Sequence, residues 1–297
     1  MRREIDKMHI LDKVKESGLI FDGAMGSMLI AAGLKGGKIS ELWNLESPQV
    51  IENIHKAYFE AGSDVAVTNS FGASPFKLKK MGVDADPEKI NVAAVKIAKR
   101  AAGPGQYVAG DMGPLGEMLQ PAGLLTEEDA EKHYVKQATF LASGGIDFFI
   151  LETFFDLNEI LAAIRAIRTV SDLPIFATMT FQQKPTGFFT LMGNKPDDSM
   201  NKLVEAGASV VGANCSLASD TMVDLARIIR DSVDVPVMIQ PNAGAPKNVG
   251  DIVVYPETVD YFCNNILTLK EMGIDVVGGC CGTTPDFIRA MAEKISA

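Results

Sequence analysis

Four cysteines stand in the 297-residue chain: Cys215, Cys263, Cys280 and Cys281. They are too few and too widely spaced for a disulfide-stapled scaffold. Cys280 and Cys281 are adjacent, and a bridge between neighbours strains the peptide that joins them. In a reducing cytoplasm all four are expected as thiols. Cys263 falls inside a helical pattern and reads as a small core hydrophobe. The segment Gly278-Gly279-Cys280-Cys281-Gly282 reads differently, because flanking glycines let backbone approach a bound ion or ligand closely. Converging thiolates from Cys215, Cys280 and Cys281 suggest zinc, which takes tetrahedral sulfur and nitrogen ligands and, in a catalytic site, keeps one position for water or substrate. Cys215 and Cys280 lie 65 positions apart, so the fold must bring them together. Three cysteinates on Zn²⁺ make an anionic, electron-rich centre. Such a centre is suited to hold a further thiol, lower its pKa and leave its sulfur nucleophilic. The chemistry favoured is alkyl transfer to sulfur.

The elements that must position these thiols are legible as a repeat. Short apolar or β-branched runs end in Gly, Asn, Asp or Pro at 18–26, 64–72, 107–116, 147–156, 174–181, 209–217, 236–244 and 275–283. Nearly continuous apolar runs suit strands buried on both faces, as in a parallel sheet. Helical periodicity follows at 50–62, 88–102, 127–145, 157–170, 196–206, 219–232, 259–272 and 285–296. Thr126 is placed as an N-cap, and Thr284-Pro285 reads as a cap followed by proline at the first helical position. Eight strand–helix units predict a single-domain (β/α)₈ TIM barrel over 18–297, with residues 1–17 as a helical lead-in covering the barrel bottom. A doubly wound open sheet is the alternative. It usually has fewer strands and a G-x-G-x-x-G turn after the first, where this chain has DGAMGS.

In such a barrel the loops after the strands build the site. Polar residues recur there: Asp22, Asn69, Asp111, Glu152, Asn214-Cys215, Asn242 and Cys280-Cys281. Cys215 and the cysteine pair fall on strands six and eight, alternate strands that contribute to the same interior layers. Asp22 also reads as a turn cap, Glu152 as half of a structural ion pair, and Asp111 equally as a turn residue. His9, His55 and His133 fall on helices, where surface or core roles are expected.

Apolar residues make up 47% of the chain, enough for a sizeable core, and 28 Lys+Arg against 38 Asp+Glu leave a formal charge of -10. Nucleic acid and anionic membrane both need basic patches, so neither is an expected partner. No run approaches the roughly 18 apolar residues of a membrane span, and the start lacks a signal-peptide stretch. A cytoplasmic protein is expected.

Particular segments then match a family. FDGAMGSML at 21–29, TNSFGAS at 68–74, GDMGPLGE at 110–117, ETF at 152–154, ANCS at 213–216, QPNAG at 240–244 and GGCCGTTP at 278–285 resemble the homocysteine S-methyltransferase family. They look closest to the homocysteine-binding domain of cobalamin-dependent methionine synthase, and betaine and S-methylmethionine enzymes share the core. The resemblance implies a (β/α)₈ barrel with Zn²⁺ on Cys215, Cys280 and Cys281 and the homocysteine sulfur as fourth ligand. It implies that Asp22 and Glu152 hold the amino group. Backbone amides around Ala24 and Met25, and near the Ser70–Ala73 turn, would take the carboxylate, with Asn242 near the zinc. These roles are chemically sensible: an ammonium needs carboxylate partners, and a carboxylate suits N–H groups left unpaired in tight turns.

The chain has no D-x-H-x-x-G segment for a corrinoid and stops at Ala297. Methylcobalamin is therefore expected only on a separate corrinoid protein, the alternative donor being a small molecule of the betaine or S-methylmethionine type. The loop 182–194, with adjacent Phe188 and Phe189, reads as a lid, a docking surface for a donor protein, or local packing over the barrel mouth. Three functional readings follow: an enzyme making methionine from homocysteine, methyl transfer involving another thiol or a corrinoid carrier, and a non-catalytic zinc-stabilised barrel. The pair Asp22 and Glu152 favours an amino-acid acceptor.

Overall fold

The computed structural model describes residues 9–35, 38–250 and 252–297. Each apolar run forms a strand of one parallel sheet: β1 Leu19–Ile20, β2 Val65–Val67, β3 Tyr107–Met112, β4 Phe148–Phe154, β5 Ile175–Met179, β6 Val210–Ala218, β7 Val237–Asn242 and β8 Val276–Val277. Hydrogen-bonded order runs β1-β8-β7-β6-β5-β4-β3-β2. A parallel bridge between Phe21 and Val65 brings β2 back to β1. The sheet thus closes on itself as a (β/α)₈ barrel, and the open doubly wound alternative is excluded.

Helices Pro48–Glu60, Pro87–Ala101, Glu127–Gly144, Leu157–Arg168, Pro196–Glu205, Ser219–Ser232, Val259–Glu271 and Pro285–Ser296 follow the strands in turn. The Thr126 side chain accepts a hydrogen bond from the Asp129 amide, as an N-cap should. Thr284 occupies the cap position without making that bond, and Pro285 alone supplies the start signal.

The barrel interior is filled by one cluster that includes Phe21, Tyr107, Phe148, Ile150, Phe176 and Met238. The Phe148 and Phe176 rings pack with centroids 4.4 Å apart. Ile10 and Val14 of the helix Ile10–Ser17 join that cluster. The first eight residues of the expected lead-in lie outside the described residues. Three acids just before strands staple the N-terminal ends together. Asp64 accepts from the Ile20 amide at 2.9 Å, Asp147 from Val108 at 2.7 Å and Asp275 from Val237 at 2.8 Å. Lys13, Lys99 and Arg230 lie 3.8, 3.1 and 3.2 Å from these carboxylates. This is the end of a barrel that serves stability rather than chemistry.

The opposite end carries elements too short for periodicity to reveal. They are the helices Met25–Ala31, Trp43–Glu46 and Pro75–Lys80, the 3₁₀ turn Ser40–Leu42, and two hairpins, Gln182–Lys184 with Gly187–Phe189 and Lys247–Val249 with Ile252–Val254. Within the loop 182–194, Phe188 is buried in the main core, Phe189 is half-buried, and Leu191 and Met192 are exposed. No helix among the described residues is long and apolar enough to cross a membrane.

Candidate metal and substrate site

Cys215, Cys280 and Cys281 converge at the C-terminal ends of β6 and β8, with their Sγ atoms all within 4.8 Å of one another. The Cys215 and Cys281 sulfurs are 3.9 Å apart. Two thiolates on one tetrahedral zinc, at a Zn–S distance of about 2.3 Å, stand about 3.8 Å apart. The donor set and its spacing therefore fit a single zinc ion. All three side chains are partly buried and line a cavity of about 330 Å³.

Local backbone explains the convergence. The β6–β7 register shifts between Asn214 and Ala218, and within this bulge Cys215 and Ser216 adopt φ of 59° and 62°. A bulge re-aims a side chain, and non-glycine residues in this region cost about 1–3 kcal/mol each. The β4–β5 register shifts in the same way beside Thr153, whose φ is 64°. Fully buried Asn214 ties the two bulges together. Its Oδ1 accepts from the Thr153 amide at 2.8 Å and the Thr178 hydroxyl at 2.9 Å, while Nδ2 donates to Thr153 Oγ1 at 2.8 Å and approaches Cys280 Sγ at 3.9 Å.

The cysteine pair is held by the end of β7. The Cys280 amide donates to the Pro241 carbonyl at 2.8 Å, and the Cys281 amide to Asn242 Oδ1 at 3.1 Å. The neighbouring glycines also pack closely. A Cβ on Gly278 would meet Phe21 and Gln240, one on Gly279 would meet Thr283, and one on Gly282 would meet Tyr255. Gly279 lines the cavity beside the cysteine pair. Hydrogen bonds from Cys215 and Cys280 hold the Cys281 thiol well below the usual range, at about 3. Cys263 is buried in its helix, as expected of a core residue.

The acids line the same cavity, and Glu152 stands close to the sulfurs: its Oε2 accepts from Asn214 Nδ2 at 3.5 Å, the same atom that approaches Cys280 Sγ at 3.9 Å. Asp22 is 4% exposed, and its Oδ2 accepts from the Val67 amide at 2.9 Å, so it links β1 to β2 rather than capping a turn. Burial, and then the charge of Glu152, raise its pKa well above the usual carboxylate value, against the Val67 bond. Glu152 is raised to about 7 by burial and by Cys281. Among the described residues no cation pairs with it, which leaves the ion-pair reading without a partner. Asp111 also lines the cavity.

The Ala24 amide donates to Thr283 Oγ1 at 3.2 Å. It is thus committed, whereas Met25 opens a helix whose first amides have no intrahelical partner. In the Ser70–Ala73 turn the Ser70 and Ala73 amides bond to Thr68 and Ser70 carbonyls. The Gly72 amide is taken by Glu41 Oε1 at 2.5 Å. Asn242 is buried behind the cysteine pair and is not among the residues lining the cavity.

Several residues at the site escape sequence reasoning. Glu41 stands on a three-residue turn with no periodic signal. Tyr58 donates to the Ala24 carbonyl at 3.0 Å from a position that reads only as helix core. Gln240 lines the cavity two residues before Asn242, and strand alternation from Asn242 would have found it. None of the three histidines lines the cavity: His9 caps its helix, His55 is buried and His133 packs on Phe76.

The homocysteine S-methyltransferase family model matches residues 19–295. The chain belongs to the homocysteine S-methyltransferase family. Methionine synthases from Mycobacterium tuberculosis and Mycobacterium leprae are 31% and 30% identical over 97% of this chain. The chain spans about a quarter of the length of these curated relatives, 25% of each. The metallated form of the homocysteine methyltransferase MmuM from Escherichia coli superposes with a TM-score of 0.80 at 23% identity, covering 96% of this chain and 98% of that one. Within the family barrel, the cysteine trio and the acids Asp22, Asp111 and Glu152 line one cavity.

Proposed function

We propose that this chain is a zinc-dependent S-methyltransferase that methylates homocysteine to methionine. The observation that carries the reading is the meeting of three cysteine sulfurs within 4.8 Å in a cavity that Asp22 and Glu152 also line. Cys215, Cys280 and Cys281 would hold the zinc. Bound there, zinc would lower the pKa of the substrate thiol and so make a nucleophilic thiolate available near neutral pH. Asp22 and Glu152 accept from the substrate ammonium, and the Met25 amide donates to its carboxylate. Ala24 acts through its carbonyl bond to Tyr58, which steadies the turn that carries Met25. Asn242 positions Cys281 through its bond to that residue's amide. Fixing both ends of the acceptor orients the sulfur for in-line attack on a methyl donor.

A cavity of about 330 Å³ suits an amino-acid thiol and is too small to enclose a corrinoid. A methylcorrinoid donor would accordingly be presented at the barrel mouth by a separate protein. A cytoplasmic setting, where thiols stay reduced, suits three free cysteines. The test supplies zinc-loaded protein with homocysteine and, in turn, methylcobalamin, S-methylmethionine or betaine. Methionine is expected with methylcobalamin. Formation with betaine or S-methylmethionine alone would reassign the donor, and no methionine with any donor overturns the reading.

A further inference from the structure

Asp111 differs from every other buried acid of this barrel. Asp22 accepts from the Val67 amide, Asp156 from the Asn158 amide, Glu41 from the Gly72 amide, and Glu159 from the Leu115 amide and the Tyr134 hydroxyl. Each has a structural bond that accounts for its burial. Asp111 is 3% exposed, and its Oδ1 has no hydrogen-bond partner among the described residues. Leaving a buried polar atom without a partner is unfavourable, and more so when it carries charge.

The position is nonetheless held firmly. The Asp111 amide donates to Thr68 Oγ1 at 3.0 Å, its carbonyl accepts from Ser70 Oγ at 2.8 Å, and those two hydroxyls share a bond of 2.7 Å. The backbone is pinned, and the residue lines the cavity. Burial, and the carboxyl groups of Glu152, Glu41 and Asp22, all act against its charge. Lys77 opposes them without forming an ion pair to Asp111 among the described residues. Its ammonium lies over the Phe71 ring, 4.6 Å from the centroid, and bonds the Pro114 carbonyl at 3.4 Å. A pinned, unpartnered acceptor in a cavity already rich in acids calls for a ligand that brings donors and positive charge.

Building on the reading above, we propose that Asp111 supplies the third acceptor for the ammonium of the amino-acid thiol and thereby selects acceptors with a free α-amino group. A primary ammonium has three N–H donors. Asp22 and Glu152 account for two, and Asp111, on the strand beside Glu152, lines the same space. Asp22 has one oxygen spent on the Val67 amide and Glu152 has one taken by Asn214 Nδ2 at 3.5 Å, so each offers one free oxygen and the third N–H is left for Asp111. Asp111 is a specificity residue under this assignment, with no part in activating sulfur.

The experiment compares homocysteine with 4-mercaptobutanoate, the same thiol acid without the amino group. Binding to the zinc-loaded protein is measured by calorimetry, alongside kcat and KM for methyl transfer. In wild type, homocysteine binds more tightly. Asp111→Asn, which keeps the volume, and Asp111→Ala, which removes the group, are expected to weaken homocysteine by about tenfold or more. Affinity for 4-mercaptobutanoate should change less than about twofold, since that ligand makes no such hydrogen bond, and the loss with homocysteine should appear more in KM than in kcat. The des-amino ligand shares the sulfur and carboxylate contacts and so reports directly on whether each variant is folded. A wild type that prefers homocysteine, with variants that keep the full preference or lose both ligands equally, overturns the role of Asp111 alone. A wild type indifferent to the amino group overturns the functional reading and the inference together.

Discussion

Asn214 does at the residue scale what the cysteines cannot do for themselves. A sulfur cluster needs its ligands aimed before an ion arrives, and the aiming here is done by two strained bulges. One amide joins them through bonds of 2.8 to 2.9 Å. Asn214→Ala removes the acceptor of the Thr153 amide and leaves the Thr178 hydroxyl only its longer bond to the Leu151 carbonyl at 3.3 Å. We expect a stability loss of about 1–3 kcal/mol, read from urea unfolding. We also expect metal affinity to fall about 10–100-fold, the usual scale for a residue that orients ligands. A competition titration with a colorimetric zinc chelator measures the second effect. An unchanged zinc affinity would show that the bulges hold their shape without the amide.

At the scale of elements, the barrel divides its labour between its two ends. Asp275 illustrates the lower end: it takes the Val237 amide and lies 3.2 Å from Arg230. Asp275→Ala is expected to lower stability by about 1–3 kcal/mol through the lost charge-assisted bond to a backbone donor. Zinc and homocysteine affinities should stay at wild-type values, because the change lies at the far end of β8 from Cys280. A parallel loss of zinc affinity would reveal coupling along the strand. At the upper end, the short helices and hairpins close over the mouth, and Phe188 packs into the core beneath them.

Across the whole molecule, the core exists independently of the metal site. The interior cluster and the helix–sheet layers are built from apolar side chains, and the thiols sit at the rim. Chelation under reducing conditions is expected to abolish homocysteine binding while leaving the far-UV circular dichroism unchanged. Unfolding should remain cooperative, with its midpoint lowered only by loss of the bound ion's linkage. Collapse of the spectrum on chelation would favour the zinc-stabilised, non-catalytic barrel instead. A second global property comes from His55, fully buried with neither ring nitrogen partnered. Burial holds its pKa at about 4, below the ordinary 6.5. Its folded pKa lies below its unfolded one, so the unfolded chain binds the proton first as pH falls. The contribution is intact above about 6.5 and is lost between there and about 4, at most about 3 kcal/mol. His55→Leu should flatten the stability profile in that window relative to wild type. Equal slopes for the two proteins would place the acid lability elsewhere.

Much of this was legible in one dimension. Eight apolar runs alternating with eight helical periods admit few closures, because a strand buried on both faces needs helices outside and neighbours on either side. The cysteine doublet and the lone Cys215 announced sulfur chemistry for a similar reason: their surroundings break the core pattern. Other features carry no local signal. The aim of Cys215 depends on a register shift between β6 and β7, and register is a property of two strands, not one. Glu41 reaches Gly72 across 31 positions of chain. That Gly278, Gly279 and Gly282 leave room for Phe21, Thr283 and Tyr255 is likewise visible only in the folded chain. Residue types and their periods determined which groups reach the barrel mouth. Only the closed sheet decided which of them touch, because those distances are set by contacts between segments far apart in the chain.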